Sequence, residues 1–212
     1  LKSLEIKNVK KLMNDLFGGR AFDNFLVTQV KLSCMNNVEI NGKINKSFLN
    51  EEEIEMLNGR EYSLWSELKY LVFDVIKGKR LPKSMIIDLK LGDNLTEKVL
   101  EASGSSFSKK DVAGLYMSLR FENNVLIAVS GTSMATFTMD KSVDRTWDSK
   151  MTIMLSGYLE NIGNHGAASG AFESAANVND YPSISAEADK YAEDISEEEF
   201  EREEAELEKM YV

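Results

Sequence analysis

Four cations fall within seven residues at Lys77, Lys79, Arg80 and Lys83. They sit just beyond a stretch with helical apolar spacing, so the sequence puts them on a loop at a helix C-terminus. Positive charge at that density suits an anion: a nucleic-acid phosphate, a nucleotide or an acidic protein segment. The plainer account is that cations are favourable beside the unpaired carbonyls of a helix end, while Gly78 and Pro82 stop the helix. No aromatic residues interleave with the cations, unlike a single-strand platform. Lys7, Lys10 and Lys11 would extend the basic face if the fold brings them near.

Other chemistry is thinner. Asp140, Asp144 and Asp148 recur every four residues along one side of a predicted helix and could share a divalent cation with ligands from elsewhere. The plainer account is helix-end electrostatics, with Lys141 and Arg145 close enough to neutralise the row. Glu61, Asp74 and Asp88 lie in or near apolar segments, where desolvation raises a carboxylate pKa. The single histidine, His165, stands in a Gly/Ala-rich stretch with nothing around it to hold an imidazole against a nucleophile. Ser130 to Ser133 puts three hydroxyls around a glycine, as short turns routinely do. There is no Gly-x-Ser-x-Gly, no phosphate-binding loop and no dinucleotide fingerprint. The reading is therefore no catalytic residue, no metal site and no cofactor.

Charge divides the chain. Residues 151–212 hold 3 Lys/Arg and 15 Asp/Glu, a balance of −12; residues 1–150 hold 22 and 20, a balance of +2. The sequence is read as a core domain over 1–160, followed at 161–212 by a Gly/Ala-rich linker and an acidic amphipathic helix. Ser196 with Glu199 forms a capping box for that helix, and Ile195, Phe200, Leu207, Met210 and Tyr211 supply a narrow apolar stripe. One such helix alone is marginal in water. Phe200, Leu207, Met210 and Tyr211 are therefore expected to meet a protein partner or a second copy, with an anion or nucleic acid at the basic loop as a further possibility. A lone Cys34 suits a reducing compartment, and neither a membrane span nor a secretion signal is legible. The expected location is the cytoplasm, without membrane attachment.

The elements that would position these residues are read from periodicity. Val9, Leu12, Met13, Leu16 and Phe17 make a helical stripe capped by Asn8 and ended by Gly18-Gly19. Phe25 to Cys34 alternates as a half-buried strand through Phe25, Val27, Val30, Leu32 and Cys34, and Val38 and Ile40 continue into a turn at Asn41-Gly42. A short helix over 51–57 should face Ile54 and Leu57 inward. A longer helix from Leu64 to about Ile76, capped by Ser63, should bury Leu64, Leu68, Leu71, Val72 and Val75. Met85 to Leu91 alternates as a strand, and a helix around 96–102 stops at Gly104. Ser108 and Asp111 make a capping box. Two strands, 115–121 and 125–129, meet at Asn123-Asn124, and a third is expected over 135–139 after a turn at Gly131-Thr132-Ser133. Asp140 should cap a helix carrying Val143, Trp147, Met151, Met154, Leu155 and Tyr158.

Glu61-Tyr62-Ser63-Leu64-Trp65, Ile76 to Pro82, Gly114-Leu115-Tyr116, Ser130 to Ser133, Thr136 to Lys141 and Trp147-Asp148 together resemble a small uncharacterised family of clostridial-type gut bacteria over roughly residues 2–155. The resemblance implies a bacterial origin and no mechanism. The fold expected is α+β: an antiparallel or mixed sheet of about six or seven strands, helices mainly on one face, and an acidic helical extension. The function expected is a non-enzymatic binding or adaptor module with a basic loop and an acidic partner-binding tail. The alternative is an enzyme acting on a phosphorylated or nucleotide substrate, gripped by Lys79 and Arg80 with a carboxylate base such as Asp88.

Overall fold

The computed structural model describes residues 1–77 and 81–159. Contacts divide the chain at residue 166, and the described residues all belong to the first unit. His165, Lys79, Arg80 and the tail residues Phe200, Leu207, Met210 and Tyr211 lie outside them.

Six strands form one antiparallel sheet: β1 (Ser3–Ile6), β2 (Leu26–Ser33), β3 (Asn37–Asn41), β4 (Ser84–Lys90), β5 (Val112–Glu122) and β6 (Val125–Met134). Their spatial order is β1-β6-β5-β4-β2-β3. The register lines up apolar side chains in rows across it. Ile6, Leu126, Phe121, Met85, Leu32 and Val38 make one row; Leu4, Ala128, Leu119, Ile87, Val30 and Ile40 make the next. Residues two apart share a face, so these rows point one way, and α1 (Val9–Phe17), α3 (Trp65–Ile76), α4 (Asp93–Ser103) and α5 (Ser142–Leu159) supply most of the remaining core on that side. The opposite face carries Gln29, Lys31, Ile86, Asp88, Ser118, Arg120, Ile127 and Val129, half-buried or exposed apart from Ser118. One packed and one solvated face is the usual economy of an antiparallel sheet.

The local signals resolve in particular ways. The strand over Phe25 to Cys34 forms as β2 but carries a bulge, with the β2–β4 register shifting between Val27 and Gln29. Asn123 and Asn124 both hold positive φ (52° and 63°), the geometry of a two-residue hairpin turn. Gly104 ends α4 in the left-handed region at φ 63°.

Four expectations are corrected. Asn41-Gly42 is not the hairpin turn: β2 and β3 join through Cys34 to Asn36. Gly42 is needed because a Cβ there would lie 1.8 Å from the Val27 carbonyl oxygen. No strand forms over 135–139; β6 instead runs unbroken through Gly131 to Met134, paired with β5. Glu67, not Ser63, closes the start of α3 by accepting from the Leu64 backbone N–H at 2.8 Å. The short α2 (Glu51–Met56) buries no residue. Its capping box, Asn50 with Glu53, holds it in place of a core contact.

α1 and α3 are locked together by buried polar groups that periodicity does not reveal. Trp65, fully buried, donates Nε1–H to the Leu16 carbonyl at 2.6 Å. Lys69, 5 % exposed on α3, reaches Asp23 at 2.7 Å and the Gly19 carbonyl at 3.0 Å. A cation so placed survives only with its partners, since removing one leaves the other charge uncompensated. Lys69→Met should therefore lower stability by about 2–3 kcal/mol, below the cost of a fully buried pair because Asp23 keeps some solvent. Urea unfolding measures this; a variant as stable as the parent would show that the pair contributes nothing net.

Candidate binding surface at the basic end of the helical layer

One edge of the sheet gathers more than its strand ends. Ser33, Ser84, Glu122 and Val125 pair in a continuous line, and Leu126 beside them pairs with Ile6. Lys7 leaves β1 at this end, and Lys83 enters β4 at it, its backbone N–H on the Ser33 carbonyl at 2.7 Å. α1 begins here, capped by Asn8, whose side chain accepts from the Lys11 N–H at 3.1 Å. α5 finishes here, because the Tyr158 carbonyl accepts from the backbone N–H groups of both Lys7 and Asn8, at 2.9 and 3.0 Å. α3 starts at the opposite end, tied through Trp65 to Phe25, and packs along β2 so that Lys77 comes back towards Lys83.

Lys7, Lys10, Lys11, Lys77 and Lys83 thus share one end of the molecule, all exposed. The span from β1 to β4 is three strand spacings, about 14 Å. Lys7 pairs with Glu5 at 2.5 Å and Lys77 with Asp74 at 2.8 Å. Exposed pairs of this kind hold their partners weakly. Lys11 lies 5.2 Å over the Tyr158 ring. Among the described residues no acidic side chain pairs with Lys10, Lys11 or Lys83. Glu122, at the same end, sits on the solvated face with Arg120 and Ser118.

Along its outer side, on the way to Lys77, α3 turns apolar groups outward. Tyr70 is 67 % exposed, Leu71 54 % and Phe73 44 %, and Leu81, shortly before β4, is 75 % exposed. Leu71 was expected inside from its spacing; α3 buries only Trp65, Lys69 and Val72 along its narrow inner line. Phe73 leans on Phe17, the last residue of α1, with ring centroids 5.6 Å apart.

Several of the other carboxylates singled out in the sequence have structural partners. Asp140 accepts from the Ser142 backbone N–H at 2.8 Å, and this bond holds its carboxyl below the usual range. Asp144 lies near Lys141, and Asp148 accepts from Ser130 and lies 3.3 Å from the Leu1 amino group. Ser130 is buried rather than part of a turn. Among the described residues no three His, Cys, Asp or Glu side chains gather as a metal would need. Asp88 accepts from the Ser118 hydroxyl, which also accepts from Arg120 Nε–H at 3.0 Å. Asp88 lies five residues along β4 from Lys83, about 17 Å, and faces the solvated side, so these two groups do not converge. A shallow depression of about 270 Å³ beside α4 is lined by Glu97, Glu101, Ser105, Ser108 and Lys109 with Leu100 and Phe107. No helix among the described residues is long and apolar enough to cross a membrane.

The chain belongs to the family of unknown function DUF5721, which matches residues 15–159 and stops at the last residue of α5. No curated protein matches it, and no solved structure does.

Tyr158 anchors the end of α5. Burial, and then the hydrogen bond and charge of Asp15 at 2.8 Å, push its phenol above the ordinary tyrosine value. A raised folded-state pKa means the folded protein holds the proton more tightly. The contribution is complete below the unfolded value of about 10 and is lost as pH climbs above it. The urea midpoint of the parent should therefore fall faster above pH ~10 than that of Tyr158→Phe. Parallel curves would remove Tyr158 as the titrating anchor.

Proposed function

We propose that this DUF5721 member is a non-enzymatic binding module whose basic, partly apolar end takes an acidic amphipathic segment of a partner protein. The observations that carry this reading are the exposed lysines at one end of the helical layer, Lys10, Lys11, Lys77 and Lys83, and the exposed apolar residues of the segments that lead to two of them: Phe73 one turn before Lys77, with Tyr70 and Leu71 further back along α3, and Leu81 two residues before Lys83. Exposed apolar side chains rimmed by charge of one sign fit a helix with an apolar stripe and acidic flanks. The cations steer and orient the ligand, while the apolar groups supply affinity. Lys79 and Arg80 belong to the same basic run in sequence and would add to its field. We place this activity in the cytoplasm of a bacterium of clostridial type, on the lone Cys34 and on the sequence resemblance.

The lysines without acidic partners also favour a second reading, a nucleic-acid phosphate backbone as ligand. The two differ in what Tyr70 and Leu71 do. A fluorescent acidic amphipathic peptide and a single-stranded oligonucleotide should be titrated against the full chain by anisotropy. The peptide should bind more tightly, and Lys77→Glu with Lys83→Glu should weaken it about tenfold, equivalent to about 1.4 kcal/mol. Tyr70→Ser with Leu71→Ser should also weaken the peptide and leave the oligonucleotide unchanged. Tighter oligonucleotide binding, indifferent to Tyr70 and Leu71, would replace the protein ligand with nucleic acid.

A further inference from the structure

The end of the sheet opposite the lysines leads to charge of the other sign. β3 runs from Asn37, paired with Ser33 at the basic end, to Asn41 at the far end, where Gln29 is its partner. The chain then makes an excursion that closes on itself. Lys43 pairs with Tyr62, the Ile44 N–H donates to the Glu61 carbonyl at 2.9 Å, and Leu64 pairs with Leu26 at the start of β2. α2 lies within this excursion, and all of its 6 residues are exposed. At about 100° per residue, Glu51, Glu55, Glu52 and Met56 follow one another around roughly 140° of the helix. Glu53 is engaged in the cap. Among the described residues no cation pairs with Glu51, Glu52 or Glu55. Met56 is 62 % exposed, and Phe48, shortly before the helix, 86 %. Lys46 is the one cation between Ile44 and Met56. The chain thus carries, in its own fold, an acidic helix side with apolar neighbours.

We infer that α2 of one copy docks on the basic end of a second copy, which makes the chain a ligand of its own binding surface. The inference rests on the surface proposed above and names a partner for it. Charge complementarity carries it: three glutamates without ion-pair partners on α2 answer Lys10, Lys11 and Lys83, which have no acidic partners either, and Lys77, held only by an exposed pair. A copy cannot satisfy itself in this way. β2, 8 residues and roughly 26 Å long, separates the two ends of the sheet, and the excursion leaves from the end away from the lysines. A contact between opposite ends is head-to-tail, so repetition closes a ring or extends a chain. Few side chains take part, so the interface is small and reversible. Its exposed charge pairs weaken as salt screens them. A second copy and any other acidic ligand then compete for one surface, and ligand binding separates the copies.

The test follows the full chain by sedimentation velocity over a range of concentrations, at low and at high salt. The weight-average mass of the parent should rise with concentration at low salt and fall back at high salt. Glu51→Lys, Glu52→Lys and Glu55→Lys together leave the Asn50–Glu53 cap intact. They should shift self-association about tenfold to higher concentration, and so should Lys77→Glu with Lys83→Glu. Mixing the two variants should restore association, because the reversed α2 of one then meets the reversed basic end of the other. A mixture that stays dissociated, or a parent that keeps the mass of one chain at every concentration, would overturn the inference. Self-association that persists unchanged in the α2 variant would assign the contact to another surface and overturn it too. The fluorescent acidic peptide judges the binding surface separately. Peptide binding weakened by Lys77→Glu and Lys83→Glu leaves that surface standing even where copies do not associate, and absence of both removes the surface reading along with the inference.

Discussion

The sheet buries one face only, and much of the arrangement of the molecule descends from that constraint. Rows such as Ile6–Leu126–Phe121–Met85–Leu32–Val38 cross all six strands in register and cannot stay wet. Each large apolar side chain removed from water contributes about 1.5–3 kcal/mol, so helices must cover these rows on one side. The elongated helices α1, α3 and α5 satisfy this by lying over the sheet, which puts their ends at its ends. Charge attached to a helix end is then carried to a strand end, whatever its place in sequence.

This accounts for the basic end. Lys10 and Lys11 open α1, Lys77 closes α3, and Lys7 and Lys83 flank strands. They come from two separate stretches of chain, and neither apolar packing nor helix capping requires the two to be alike in sign. The polar contacts inside the layer serve a different purpose. Trp65 on the Leu16 carbonyl and Lys69 on Asp23 fix α3 against α1 and the loop after it. That fixed crossing leaves Tyr70, Leu71 and Phe73 exposed along α3, ahead of Lys77. The outward apolar surface is thus a consequence of how α3 is pinned.

Several features were legible because they depend on neighbours in sequence. The Asn123-Asn124 hairpin, the Gly104 cap and the stripe of α5 each arise from a short run and its backbone preference. Others were misread for a single physical reason. Gly42 looks like a turn residue, yet it is a close approach to Val27, fifteen residues earlier. Gly131 looks like a turn between strands, yet pairing with β5 carries β6 straight through it. Leu71 fits the inner spacing, but a helix that also seats Lys69 rotates it out. In each case a partner distant in sequence outweighed the local preference.

By itself the sequence determined the α+β class, most element positions, the separation of a near-neutral core from an acidic tail, and the presence of a basic run after α3. These are properties of composition and of spacing over a few residues, where backbone propensity and apolar periodicity suffice. Strand order, the choice of which sheet face to cover, the burial of Lys69 and Trp65, and the meeting of Lys7, Lys10, Lys11, Lys77 and Lys83 at one end were decided only in the tertiary structure. Register between strands far apart in the chain sets all of these, and it is chosen by the packing of the whole core rather than by any one segment.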